Sequence, residues 1–146
     1  MKELLAKAIR VASFAHESQF DNGEPYVCHS LRIMFLFSDI TLKIVAVLHD
    51  TIEDTKVRLV DLEKMGFGEE IVEAVDALTI RKDEKYFKYI KRLSKNKIAC
   101  VVKLKDLEDN MNRNSLETEN KELYKRYIKA EKILSKKCFE KVKTED

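Results

Sequence analysis

Residues Leu42 to Leu48 form an apolar run broken only by Thr41 before it and Lys43 within it, and they lead without a turn residue into His49-Asp50-Thr51-Ile52-Glu53-Asp54. A helix over Leu42 to about Asp50 that is apolar nearly all round belongs at the centre of a bundle, because no face of it gains by meeting water. If the backbone stays helical past it, His49 and Glu53 are four apart, Asp50 and Asp54 are four apart, and Asp50 and Glu53 are three apart. All four then project near one face. Three carboxylates beside an imidazole repel one another unless a cation absorbs the charge, and the His-Asp pair offers one nitrogen and one oxygen ligand. Taken alone, the segment is equally an ordinary helix end turning its charges to solvent.

The rest of the chain has few residues that would interrupt helices: 3 Gly and 1 Pro in 146 residues, with 45% hydrophobic and 37% charged. An all-α architecture follows, and the length is that of one domain over 1–146. Lys2 to Gln19 carries Leu4, Leu5, Ala8, Ile9, Ala12 and Ala15 at steps of three and four, an amphipathic helix. Phe20 to Pro25 breaks it as a loop, with Asn22-Gly23 supplying positive φ. Further helices are expected over about His29–Phe37, Leu59–Met65 (stopped by Gly66), Glu69–Leu78, Asp83–Leu93, Ile98–Met111 and Lys121 to about Cys138. The core is expected over about 1–138 and a frayed, charged tail over 139–146.

A net charge of +2, with Lys interspersed among Glu and Asp, gives no footprint for a nucleic acid polymer. No apolar run approaches the length of a membrane span. Cys28, Cys100 and Cys138 are an odd, widely spaced set, read as reduced thiols in a cytoplasmic protein. Oligomeric state has no signature here.

The chain's other histidines, His16 and His29, extend the list of candidate ligands. Mixed imidazole and carboxylate ligation suits Mn, Fe or Zn, and a site with open positions can bind and acidify water. Spacing does not choose among Asp106, Asp109 and Asp76 as a further carboxylate.

The order His29, then His49-Asp50, then Asp106 resembles the H…HD…D signature of the HD-domain metal-dependent phosphohydrolases. One branch is more similar: Ala15-His16-Glu17-Ser18-Gln19, Gly23-Glu24-Pro25-Tyr26-Val27-Cys28-His29, Leu48 to Thr55, Phe67-Gly68, Val75 to Thr79, and Val102 to Asp106 with Asn110-Met111 look like the hydrolase domain of RelA/SpoT enzymes and of small stand-alone alarmone hydrolases. Several short motifs in the right order over about the first 115 residues make this specific. The resemblance implies an all-α, single-domain HD bundle with a metal, usually Mn2+, between central helices on His29, His49, Asp50 and Asp106. It implies Glu53 and Asp54 as catalytic acids, Asn110 near the nucleotide, and hydrolysis of guanosine 3′,5′-bis(diphosphate) or pentaphosphate to GDP or GTP and pyrophosphate, the chemistry of the stringent response. Other divalent transition metals suit the same ligands.

Phe20-Asp21 stands where the family usually has an Arg-Lys pair, Ser30 where it has Pro, and Leu107-Glu108-Asp109 lacks a basic residue common there. Phe20 can stack on a purine, whereas Asp21 repels phosphate unless it points away. Tyr26, Lys103 and Arg32 are further candidates for contact with a small phosphorylated nucleotide, each also readable as packing or as a solvated ion pair. His16 reads as a packing residue or a hydrogen-bond partner of the site rather than a ligand. Two alternatives stand beside the alarmone reading: a different phosphorylated nucleotide or cofactor, and a catalytically silent nucleotide-binding module.

Overall fold

A computed structural model describes the backbone of residues 1–113 and 121–143 and the side chains of 1–113 and 121–138. The charged tail expected at 139–146 lies outside the described side chains, and the backbone helix, instead of ending near Cys138, runs on to Lys143. Among the described residues the fold is all-α apart from one short hairpin. Its contacts gather in two compact units, Met1–Thr79 and Ile80–Asp146.

The first unit contains α1 (Lys2–Ala15), β1 (Phe20–Asp21), β2 (Glu24–Pro25), α2 (Val27–Phe35), α3 (Ile40–Leu48), α4 (Thr51–Asp54), α5 (Leu59–Lys64) and α6 (Glu69–Ala77). Helix α3 is its axis: Ile44 to Leu48 are fully buried, and α1, α2 and α6 pack against it. Asp39 caps its start by accepting the Leu42 N–H at 2.9 Å, satisfying one of the donors that a helix N-terminus leaves open. Helix α5 ends in a Schellman turn. Gly66 (φ +93) sits at the left-handed position, the Phe67 N–H reaches the Leu62 carbonyl at 3.1 Å, and the Gly66 N–H reaches that of Glu63 at 3.0 Å.

The segment Phe20 to Pro25, expected as a loop, is a two-stranded antiparallel hairpin pairing Phe20 with Pro25 and Asp21 with Glu24. Asn22 (φ 50) and Gly23 (φ 80) supply the two positive angles of its turn, a geometry whose twist matches paired strands. Helix α1 is shorter than the expected Lys2–Gln19 span and stops at Ala15, the last position of its apolar pattern, because the chain must turn there to enter the hairpin.

The second unit contains α7 (Tyr86–Leu93), α8 (Lys97–Arg113) and α9 (Lys121–Lys143), with α9 packed on both α7 and α8. Ile90, Leu93, Ala99, Val102, Leu107, Ala130 and Leu134 are buried in it. Arg92 holds Glu84 through two parallel bonds of 2.8 and 2.9 Å, tying the approach to α7 to its last turn. The guanidinium keeps the Glu84 carboxyl down at about 2. Cys100 and Cys138 are joined in a disulfide, which corrects the reading of all cysteines as reduced thiols. Packing of α9 on α8 brings their Cα atoms to 6.5 Å, within bridging range. Cys28 remains a free thiol. Among the described residues no helix is long and apolar enough to cross a membrane.

Candidate metal centre

The helix does not continue regularly from Leu48 to Asp54. His49 keeps helical angles, Asp50 departs to φ −101 and ψ 0, and α4 restarts at Thr51. Thr51 Oγ1 donates to the Leu48 carbonyl at 2.7 Å, giving the interrupted backbone a side-chain partner at the break. Neighbouring residues of a regular helix do not face each other. The break at Asp50 is what lets His49 Nε2 lie 3.0 Å from Asp50 Oδ2.

From α2, His29 brings its Nε2 to 3.7 Å from the same carboxylate oxygen. Donor atoms of His29, His49 and Asp50 thus lie within 4.8 Å of one another. Both histidines are 2% exposed and Asp50 14%. His49 Nδ1 faces the Ala46 carbonyl at 2.6 Å; since a carbonyl only accepts, this nitrogen carries the proton and leaves the Nε2 lone pair toward the cluster. Two buried imidazoles and a carboxylate, one imidazole already oriented from behind, are a donor set that fits a divalent transition metal.

The surroundings of the cluster come from the hairpin and from α4. Gln19 accepts the Tyr26 N–H at 2.9 Å on its carbonyl, closing the hairpin. Tyr26 donates its hydroxyl to Asp50 Oδ2 at 2.7 Å and packs its ring 5.0 Å from that of His16 and 5.9 Å from that of His29. His16 is buried at the end of α1 and donates from Nδ1 to Gln19 Oε1 at 2.8 Å. Gln19 in turn donates from Nε2 to the Asp54 carbonyl at 2.6 Å. These bonds pin α4 to the hairpin.

Glu53 and Asp54 lie on α4, immediately after the break. Partial burial of its carboxyl, and second the negative charge of Asp50, push the Asp54 pKa above its ordinary value, with His16, His49 and Tyr26 opposing. Phe20 is 69% exposed, and Arg32 is engaged with Glu24 at 2.6 Å.

Asp106, Lys103 and Asn110 lie on α8 in the second unit and bond to one another. Lys103 Nζ lies 2.7 Å from Asp106 Oδ2, and Asn110 Nδ2 donates to Asp106 Oδ1 at 3.2 Å. Burial, the largest single influence, pulls the Lys103 ammonium down, but the Asp106 carboxylate together with Tyr89 and Tyr86 more than reverses this and its pKa stands well above the usual lysine value. Tyr86 and Tyr127 are pushed up, by burial first and by the Asp106 charge among the next causes. Gln19 and Thr51 are structural partners of the site that sequence reasoning left without a role. Each bonds a backbone carbonyl, and a carbonyl carries no residue-type signal.

No protein-family model matches the chain. The bifunctional (p)ppGpp synthase/hydrolase SpoT of Escherichia coli (strain K12) is 32% identical over 123 residues, covering 73% of this chain and 17% of that protein. The GTP pyrophosphokinase rsh of Brucella melitensis is 32% identical over 136 residues, 82% of this chain and 18% of that protein. The chain therefore spans less than a fifth of the length of these curated relatives. Among solved structures, a metazoan ortholog of SpoT that hydrolyzes ppGpp superposes with a TM-score of 0.74, over 94% of this chain and 92% of that one. At 23% identity, that likeness is one of fold. Sequence kinship, the shared helical fold and the buried His29-His49-Asp50 cluster together place this chain in the HD-type metal-dependent phosphohydrolase family, related to the RelA/SpoT hydrolase domains.

Proposed function

We propose that the chain removes the 3′-pyrophosphate of guanosine 3′,5′-bis(diphosphate) or pentaphosphate by hydrolysis, using a divalent metal, with Mn2+ the leading candidate. The observation that carries this reading is the His29-His49-Asp50 cluster at the break between α3 and α4, with Glu53 and Asp54 directly after it. Kinship with proteins named as acting on guanosine 3′,5′-bis(diphosphate) supports the substrate class.

In this reading His29, His49 and Asp50 hold the ion, and Asp106 is assigned as the fourth ligand on the resemblance of Val102 to Asp106 to the family's last motif. When bound, the ion supplies Lewis acidity toward water and a phosphoryl oxygen. The residues of the chain do the rest. Hydrolysis breaks the ester linking pyrophosphate to the 3′ oxygen; one proton must leave the attacking water and one must reach the departing oxygen. Glu53 accepts the first. Asp54, held protonated to a higher pH than an ordinary carboxyl, delivers the second. Tyr26 aims Asp50, and His16 with Gln19 steadies α4 behind Asp54. Asn110, Lys103, Arg32 and exposed Phe20 are assigned to contact the nucleotide.

A different phosphorylated nucleotide is the second reading, favoured by Phe20-Asp21 where a basic pair would clamp phosphate. A nucleotide panel assayed with Mn2+ tests both. Asp50→Ala is expected to lose the metal, and Glu53→Ala to keep it while turnover falls about 10²-fold or more. An unchanged rate in Glu53→Ala removes that residue from the mechanism. Turnover of another nucleotide, with guanosine tetraphosphate left intact, selects the second reading.

A further inference from the structure

Within the second unit, α7 and α9 leave a cleft of about 510 Å3 lined by Phe87, Glu122, Leu123, Lys125, Arg126 and Lys129. On α9, positions 122, 125, 126 and 129 are spaced three, four and seven apart, so they share one face. That face turns three cations and one carboxylate toward the cleft.

The carboxylate does not neutralise them. Lys125 Nζ is 3.4 Å from Glu122 Oε1, with both side chains mostly exposed, a pairing that water and salt weaken. Arg126 and Lys129 are held differently. The guanidinium lies 4.2 Å from the centre of the Tyr86 ring, and the ammonium lies 4.2 Å from the centre of the Phe87 ring. Among the described residues neither has a carboxylate at ion-pair distance. An aromatic face attracts a cation through its quadrupole and leaves the net charge in place. The two charges are therefore steadied at the wall of the cleft and are not neutralised by any described residue. Prior ordering of long side chains lowers the entropy that binding must remove.

Size and composition set the ligand class. A cleft of this volume suits a small molecule rather than a polymer, and Phe87 with Leu123 offers carbon surface beside the cations. We propose that the α7/α9 cleft binds a phosphorylated small molecule, with Arg126 and Lys129 gripping a phosphate or pyrophosphate group and Lys125 joining them once released from Glu122. No residue of the metal cluster takes part, so the inference does not depend on the hydrolase reading.

The test titrates inorganic pyrophosphate calorimetrically into the full chain, made metal-free with EDTA so that the His-Asp cluster cannot contribute. Saturable binding is expected, weakening as KCl is added and at least tenfold weaker in Arg126→Gln/Lys129→Gln. Circular dichroism melting establishes that the variant is folded; if the pair of changes unfolds it, Lys129→Gln alone serves the same comparison. Absence of saturable binding at millimolar pyrophosphate overturns the proposal, as does equal affinity in a folded variant. Guanosine 5′-diphosphate, titrated in parallel, separates the sources of the phosphate. Affinity that falls together with that of pyrophosphate assigns the cleft to nucleotides, and binding of pyrophosphate alone assigns it to phosphates without a base.

Discussion

Tyr26 commits its hydroxyl to Asp50 at 2.7 Å, leaving its ring rather than its oxygen for any contact with a nucleotide. A hydrogen bond to a ligating carboxylate fixes its orientation, and loss of such a partner typically costs 10–100-fold in metal affinity. Tyr26→Phe keeps the ring between His16 and His29 and removes the hydroxyl that bonds Asp50 and also acts on Asp54. Calorimetric affinity for Mn2+ is expected to fall about tenfold or more, and an unchanged value would show that Asp50 needs no such support. Asp54 makes a prediction of the opposite kind, about protons. Its pKa is raised, so its acid form survives to higher pH than that of an ordinary carboxyl. Activity that requires that proton is lost as pH rises through the raised value. Asp54→Asn is expected to remove this limb from the pH profile and to lower the rate about 10²-fold; a limb that persists belongs to another group. At this scale the sequence was informative where chemistry is rare. A His-Asp pair after an apolar run is conspicuous, whereas the Gln19 bond to the Asp54 carbonyl joins residues 35 apart through a backbone atom.

Helical elements were legible from their spacing, and their ends were not. Every predicted helix exists, because three- and four-residue apolar steps are long-range averages that tolerate local noise. The end of the central helix near Asp50 was legible where the apolar run stops, whereas its restart as α4 was not, four residues being too few to carry a helical period. The hairpin was hidden by its size, two residues a strand being too short for alternation to register. Gly66 shows the converse, a residue type that announces its geometry. It sits at φ +93 with nothing within 4 Å of where a Cβ would stand. Gly66→Ala therefore meets no clash and only the left-handed backbone penalty, about 1 kcal/mol. Urea unfolding should report that loss; no loss would mean that the turn can relax.

The molecule as a whole carries its two strongest local constraints in different units. The His-Asp cluster lies in Met1–Thr79 and the Cys100–Cys138 bond in Ile80–Asp146. The bond closes a loop across a sequence separation of 38, which in the chain-entropy picture stabilises by about 2–4 kcal/mol. Cys138→Ser, or a reductant, is expected to lower the urea midpoint accordingly, and equal midpoints would show that packing of α9 on α8 suffices without it. Nothing in the spacing of three cysteines could have revealed this pairing, which depends on how two helices pack. Chelator and reducing agent consequently act as separate handles on one polypeptide. Removing the ion loosens one half and opening the sulfur bridge loosens the other, so the two losses add when the halves are energetically independent.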